Sequence, residues 1–171
     1  MGGEKIALIY YNEGIMIGRI ERIYIDTSVV YGALSQRFER ETKPFWDAFF
    51  NGKIRVILSD VLEGEIGRSP QNVRDFYRTI PESQVERVVS TDESTKLATQ
   101  YIAENVVGQS SLDDCRHIAL ATLAHASVLV SWNFKHIVNI NRIRGYNGVN
   151  EKLGYPRIEI RTPYEVIHDE I

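Results

Sequence analysis

The sequence predicts an α/β protein of three layers, α/β/α, around a central, mostly parallel sheet of about five strands. Two observations carry this. Short runs rich in β-branched residues, Ile23–Tyr24–Ile25, Val56–Ile57–Leu58 after Arg55, and Val128–Leu129–Val130, are apolar throughout, as strands covered on both faces are. Amphipathic helical segments separate them, and connections of that kind are right-handed crossovers.

The chain has 171 residues, of which 43% are hydrophobic and 25% charged, so one domain with a sizeable core is expected. Its single cysteine, Cys115, excludes an internal disulfide framework and any cysteine-based zinc site. No apolar run reaches the length of a membrane span. Residues 1–11 make a poor signal peptide, so the cytoplasm is the expected location.

Residues 1–21 read as an N-terminal extension or hairpin, with β-like runs at 5–11 and 15–20 around Asn12–Glu13–Gly14. Residues 22–171 form the main domain. The strand from Arg22 runs into Asp26–Thr27–Ser28, a polar turn. Residues 29–40 are mixed and become helical. Pro44 starts a short aromatic helix that Asn51–Gly52 ends, its rings reading as core and not as a base-stacking platform. Ser59–Asp60 opens a helix after the second strand, and Ser69–Pro70 opens another that Pro81 stops. Residues 85–89 are a third, more exposed strand.

Ser90–Thr91–Asp92 caps a helix over 93–106, closed by Gly108, with Leu97, Tyr101 and Ile102 on one face. Ser111 with Asp114 resembles a capping box that leads a helix to about Ala126, with a small-residue face. The fourth strand ends in Ser131–Trp132–Asn133. Asn147–Gly148 starts a short helix, 157–160 is a fifth strand, and Thr162–Pro163 begins a last helix.

The charge is uneven. The net value is −3, yet 115–150 holds no Asp or Glu. Four of the 20 Lys and Arg lie there (Arg116, Lys135, Arg142, Arg144), so the remaining chain holds 16 bases against 23 acids. Such a segment is either a footprint for phosphates or a set of charges spread over separate faces.

Asp26 follows the first core strand, Glu65 lies in the helix after the second, Asp113 and Asp114 open the helix before the fourth, and Asn133 follows the fourth. A parallel sheet brings these points to one edge, where open α/β sheets place their chemistry. Gathered carboxylates repel unless a cation shares them, and hard oxygen donors suit Mg²⁺ or Mn²⁺. Read singly, Asp26 fits a helix cap better than a site acid, and it is the set of later segments ending the same way that reverses this.

This ordered set resembles the PIN domain over about residues 22–165: Ile23–Tyr24–Ile25–Asp26–Thr27–Ser28; Ser59 with Glu65–Ile66; Asp114 leading into Ile118–Ala119–Leu120–Ala121; and Val128–Leu129–Val130–Ser131–Trp132–Asn133–Phe134. The resemblance implies a divalent-metal-dependent endoribonuclease that hydrolyses RNA phosphodiester bonds. It further implies the toxin of a toxin–antitoxin pair (VapC-type), an antitoxin partner and a homodimer. It makes Asp26, Glu65 and Asp114 the ligand set for Mg²⁺ or Mn²⁺, with Ser28 orienting Asp26 or a metal-bound water. Where the family often carries a fourth acid, this chain has Asn133, which can bind through its carbonyl or a water but supplies no charge. Asp113 is either an accessory ligand or a helix-start charge. Arg116, Lys135 and Arg144 are expected on the RNA backbone.

The alternative that Asn133 motivates is a catalytically weak or inactive PIN-like RNA-binding or scaffold protein. A third reading is an RNA-maturation nuclease with no antitoxin. His117 and His136 lie near the site with no assigned role, Cys115 is an inert buried thiol, and Trp132 packs over the strand end. The absence of a Gly-rich loop excludes P-loop chemistry. Ser28 stands where a haloacid-dehalogenase site needs a second Asp.

Overall fold

The computed structural model describes residues 7–11, 14–18 and 21–168. Strands β1 (Ala7–Tyr11) and β2 (Gly14–Gly18) pair antiparallel, Ala7 opposite Gly18, as the expected hairpin; its connecting residues 12–13 lie outside the described residues.

The main sheet has five parallel strands: β3 (Arg22–Ile25), β4 (Arg55–Ser59), β5 (Val85–Val88), β6 (Val128–Val130) and β7 (Ile160–Arg161), ordered β5-β4-β3-β6-β7. Strand β3 is central, with Tyr24 between Ile57 of β4 and Leu129 of β6. After β3 the chain builds outward through β4 to β5, then returns to the other side of β3. The crevice between β3 and β6 is therefore the topological switch point, where open sheets place ligands.

Side chains alternate across the strands. Ile23, Ile25, Val56, Leu58, Val128 and Val130 face one core, which α1 (Thr27–Gly32), α2 (Glu39–Phe50), α3 (Asp60–Gly67), α4 (Gln71–Arg78) and α8 (Pro163–His168) close. Tyr24, Ile57, Leu129 and Ile160 face the other, with α5 (Asp92–Ala103), α6 (Leu112–Leu123) and α7 (Ile140–Lys152). The three-layer α/β/α prediction holds.

Several boundaries differ from the sequence reading. Pro44 lies inside α2, which begins at Glu39. The turn ahead of the proline is held by tertiary contact: Thr42 is buried, and its Oγ1 donates to the Phe38 carbonyl and accepts from Trp132 Nε1 at 2.9 Å. Helix α5 stops at Ala103 because Asn105 turns left-handed (φ 58°), and Gly108 instead precedes a 3₁₀ turn over Gln109–Ser111. That turn leaves Ser111 out of extended geometry, so its hydroxyl accepts no cap hydrogen bond and the expected capping box does not form.

Helix α7 begins at Ile140, capped by Asn139, and 147–148 fall in its middle. Asn147 is buried and uses its amide as a strand would: Nδ2 donates to the Ile158 carbonyl (3.0 Å) and Oδ1 accepts from Ile158 N–H (2.8 Å). With Ile158 taken, the fifth strand begins only at Ile160. The remaining starts hold. Ser59 caps α3, Thr91 and Ser94 form a capping box on α5, and Thr162 with Glu165 secures α8.

The aromatic side chains Phe45, Trp46 and Phe49 are core. Trp132 packs over the strand end, stacked on Phe38 with centroids 4.6 Å apart. No helix among the described residues is long and apolar enough to cross a membrane.

Candidate active site

Asp26 leaves β3 at the switch point, with its N–H on the Val130 carbonyl of β6 (3.3 Å). Its carboxylate is 4% exposed. Oδ1 accepts from Ser28 Oγ (2.5 Å) and Oδ2 from Ser131 Oγ (2.7 Å). Each hydroxyl is itself aimed by backbone: Ser28 Oγ accepts from Trp132 N–H (2.8 Å), Ser131 Oγ from Asn133 N–H (2.9 Å). Two donors satisfy the buried carboxylate. Burial nevertheless pushes its pKa up, more than His117 and the two hydroxyls pull it down, and the charge of Glu65 adds to the rise.

Glu65, on α3, accepts two hydrogen bonds on one oxygen. Oε2 takes the Thr27 hydroxyl and, at 3.3 Å, His117 Nε2. Burial alone would raise this carboxyl; the His117 and Thr27 bonds and the nearby Arg68 charge outweigh it and hold the pKa below the ordinary value. Asp114, in the first turn of α6, accepts from Asn133 Nδ2 on Oδ1 (3.0 Å). Burial raises its pKa, the charges of Asp26 and Glu65 raise it further, and His136 and His117 offset part of the rise. The three carboxylates thus share one electrostatic environment.

His117 lies beneath them, 2% exposed and one turn along α6 from Asp114. Its Nδ1 is 2.8 Å from the Tyr24 hydroxyl, which donates to Ser59 Oγ (2.8 Å), the cap that also takes Leu62 N–H. Nε2 donates to the Glu65 carboxylate, and protonation of the second ring nitrogen would make the imidazole a cation. Burial opposes that charge. The Glu65 hydrogen bond and the charges of Asp26, Glu65 and Asp114 overcome it, and the pKa is raised.

Asp26, Glu65, Asp114 and Ser28 are therefore brought together, with Asn133 beside them. Asn133 presents its N–H group to Asp114, and its carbonyl oxygen takes His136 N–H (3.0 Å). Asp113 turns outward to Arg116 (2.7 Å). Lys135 is exposed two residues past Asn133, and Arg144 is exposed on α7. Cys115 is buried and its thiol is pushed up to about 12 by burial.

From the sequence, His117 had no assigned role, and Tyr24 and Ser131 stood within the quoted motifs with no function of their own. The signal was present for the histidine: three residues after Asp114 on a helix is the same face.

Two hollows flank the carboxylates. An apolar groove of about 640 Å³ is lined by Thr27, Ser28, Tyr31, Phe38, Trp132 and Asn133, among others. A polar cleft of about 190 Å³ lies between Glu65, Asp60, Arg68, Asp113 and Arg116.

Among the described residues, no three His, Cys, Asp or Glu side chains form a ready-made metal cage. The donor chemistry still fits a hard divalent ion. Mg²⁺ keeps several waters and takes one or two carboxylates with substrate phosphate, so it needs no protein cage. Coupled carboxylates, two of them with raised pKa, are what such an ion relieves.

No family model matches the sequence, and no curated protein does. Solved structures do match. A chain of VapBC2 from Rickettsia felis, bound to a DNA fragment from their promoter, superposes with a TM-score of 0.52 at 13% identity. The match covers 82% of this chain and 98% of that one. A chain of FitAB bound to an IR36 DNA fragment gives 0.53 at 10% identity, covering 86% and 99%. The fold is PIN-like.

Proposed function

We propose that the chain is a divalent-metal-dependent endoribonuclease that hydrolyses RNA phosphodiester bonds, acting as the toxin of a toxin–antitoxin pair. One observation carries the reading: Asp26, Glu65 and Asp114, from three separate segments, gather at the end of β3, with Thr27 bonded to Glu65, Ser131 to Asp26, and Asn133 to both Ser131 and Asp114. The likeness of fold to VapBC2 and FitAB supports the toxin assignment and an antitoxin partner.

Asp26, Glu65 and Asp114 would hold Mg²⁺ or Mn²⁺, with Asn133 adjacent. Such an ion makes a bound water acidic enough to attack phosphorus and stabilises the leaving oxygen. The chain's own groups do the rest. Ser28 and Ser131 keep Asp26 oriented from both sides. His117 and Thr27 fix Glu65 through Oε2, and Oε1 accepts no hydrogen bond from the described residues. Arg116, with Arg68, lines the polar cleft beside Glu65, where a substrate phosphate would sit; Lys135 is exposed two residues past Asn133. Phosphate contacts of this kind position RNA without reading sequence.

Asn133 favours a second reading, an RNA-binding or scaffold protein with weak or no cleavage, because a neutral amide occupies Asp114 Oδ1. Cleavage of a mixed RNA by purified protein with Mg²⁺, Mn²⁺ or EDTA, beside Asp26→Asn, separates the two. Metal-dependent cleavage lost in the variant supports the nuclease. RNA binding with no cleavage under any metal supports the second reading.

A further inference from the structure

We infer that His117 is a positioning residue of the carboxylate site: it anchors Glu65 by one oxygen so that the other is presented to the bound ion. The inference rests on the metal-site reading above and deepens it.

The geometry is one-sided. Both protein donors to Glu65, His117 Nε2 and Thr27 Oγ1, fall on Oε2. Among the described residues nothing donates to Oε1. A carboxylate held this way loses the freedom to rotate, and its second oxygen keeps a fixed direction. Glu65 needs such a device more than Asp26 does. Its side chain is longer, it stands on a helix and not at a strand end, and it is partly exposed where Asp26 is buried.

His117 is in turn held from behind. The Tyr24 hydroxyl meets Nδ1 at 2.8 Å and donates a hydrogen bond to Ser59 Oγ, the cap of the helix that carries Glu65. Tyr24 is fully buried and comes from the central strand, one residue before Ile25 and two before Asp26. The rings of Tyr24 and His117 also meet edge to face, with centroids 5.8 Å apart and planes at 70°. One rigid chain of contacts, Ser59–Tyr24–His117–Glu65, therefore ties the position of Glu65 to the strand that delivers Asp26. Any buried histidine needs partners for its ring nitrogens; here one of those partners is a proposed ligand and the other ties the ring to the central strand.

The test is Mn²⁺ affinity, measured by calorimetry on the full-length protein, for wild type, His117→Leu, His117→Gln and Tyr24→Phe. Glu65→Gln serves as the loss-of-site control, and thermal melting reports folding. Removing the partner that orients a metal-binding side chain costs on the order of 10- to 100-fold in affinity. His117→Leu is expected to weaken Mn²⁺ binding by about that range. His117→Gln, which keeps an amide donor near Oε2, is expected to recover most of it, and Tyr24→Phe, which leaves the imidazole in place without its brace, to fall between. Should His117→Leu not fold, Tyr24→Phe and His117→Gln carry the test.

Variants that melt lower yet bind Mn²⁺ as wild type does would overturn the inference, since a purely structural histidine predicts that pattern. Wild type that binds no Mn²⁺ would overturn the metal-site reading and the inference with it. The two failures are told apart by the wild-type titration alone.

Discussion

Asn133 Nδ2 donates to Asp114 Oδ1 across 3.0 Å, so a neutral amide from the end of β6 braces an acid from the start of α6. Its own carbonyl is held by His136 N–H, which leaves the amide no second orientation that satisfies both neighbours. Asn133→Asp replaces that donor with a second carboxylate. In metal-free buffer the variant is expected to lose about 1–3 kcal/mol, the cost of removing a donor from a half-buried charged group. Saturating Mn²⁺ should then raise its melting temperature more than it raises that of wild type, because added charge tightens the ion. Differential scanning calorimetry with and without Mn²⁺ checks both.

Ser131 serves two partners. Its hydroxyl donates to Asp26 Oδ2 and accepts from Asn133 N–H. Ser131→Ala leaves a buried carboxylate with one donor in place of two. A loss of about 1–3 kcal/mol is expected, with a melting shift of about 2–4 °C for each kcal/mol in a chain of this size. Urea denaturation measures it. A variant as stable as wild type would mean that Ser131 does not support Asp26.

Gly32 ends α1 against the Trp132 ring. A Cβ there would stand 2.7 Å from Thr42 Oγ1, 2.8 Å from Trp132 Nε1 and 2.9 Å from its Cδ1. None of these atoms is the far end of a flexible side chain. Gly32→Ala is expected to break the Trp132–Thr42 hydrogen bond and cost about 1–3 kcal/mol by overpacking. A shift in tryptophan emission should accompany the lower urea midpoint.

Burial raises the Asp26 pKa above its unfolded value. Protonation of this group thus favours the folded state. Its share of stability is fully present below the unfolded pKa and is lost as pH rises through the folded one. Asp26→Asn removes the titration. With EDTA present, the variant is expected to be more stable than wild type at pH 7, and the gap should shrink as pH falls toward 4. A gap that stays constant, or widens, from pH 7 to 4 contradicts the assignment.

Arg116 lines the polar cleft beside Glu65, whereas Arg144 is exposed on α7. If the RNA backbone crosses the cleft, Arg116→Ala should lower the slope of log affinity against log salt by about 0.7, the value for one phosphate contact on a single strand. Arg144→Ala should leave the slope unchanged if α7 stands off the path. Fluorescence anisotropy of a labelled RNA across a salt series reads both.

The parallel strands were legible because β3, β4 and β6 are buried on both faces and so spell continuous apolar runs. The acids were legible from their places at strand ends and helix starts. What stayed hidden depends on tertiary partners. Asn147 was expected to start a helix; it lies inside α7 and is a buried strand mimic for Ile158, a role that only the folded chain reveals. Pro44 looked like a helix start because nothing local shows that Trp132 will anchor Thr42 ahead of it. His117 was set aside as a single histidine. Only the fold brings Tyr24 and Glu65, 93 and 52 residues away in sequence, to its two nitrogens.

The central claim is that Asp26, Glu65 and Asp114 hold a divalent cation. Anomalous diffraction from crystals soaked in millimolar Mn²⁺ tests it most directly. The account predicts a Mn²⁺ peak beside the β3–β6 crevice, within coordination distance of at least two of these carboxylates and absent in Asp26→Asn. No peak there, in crystals whose crevice is open to solvent, would contradict it and leave the fold with a different use.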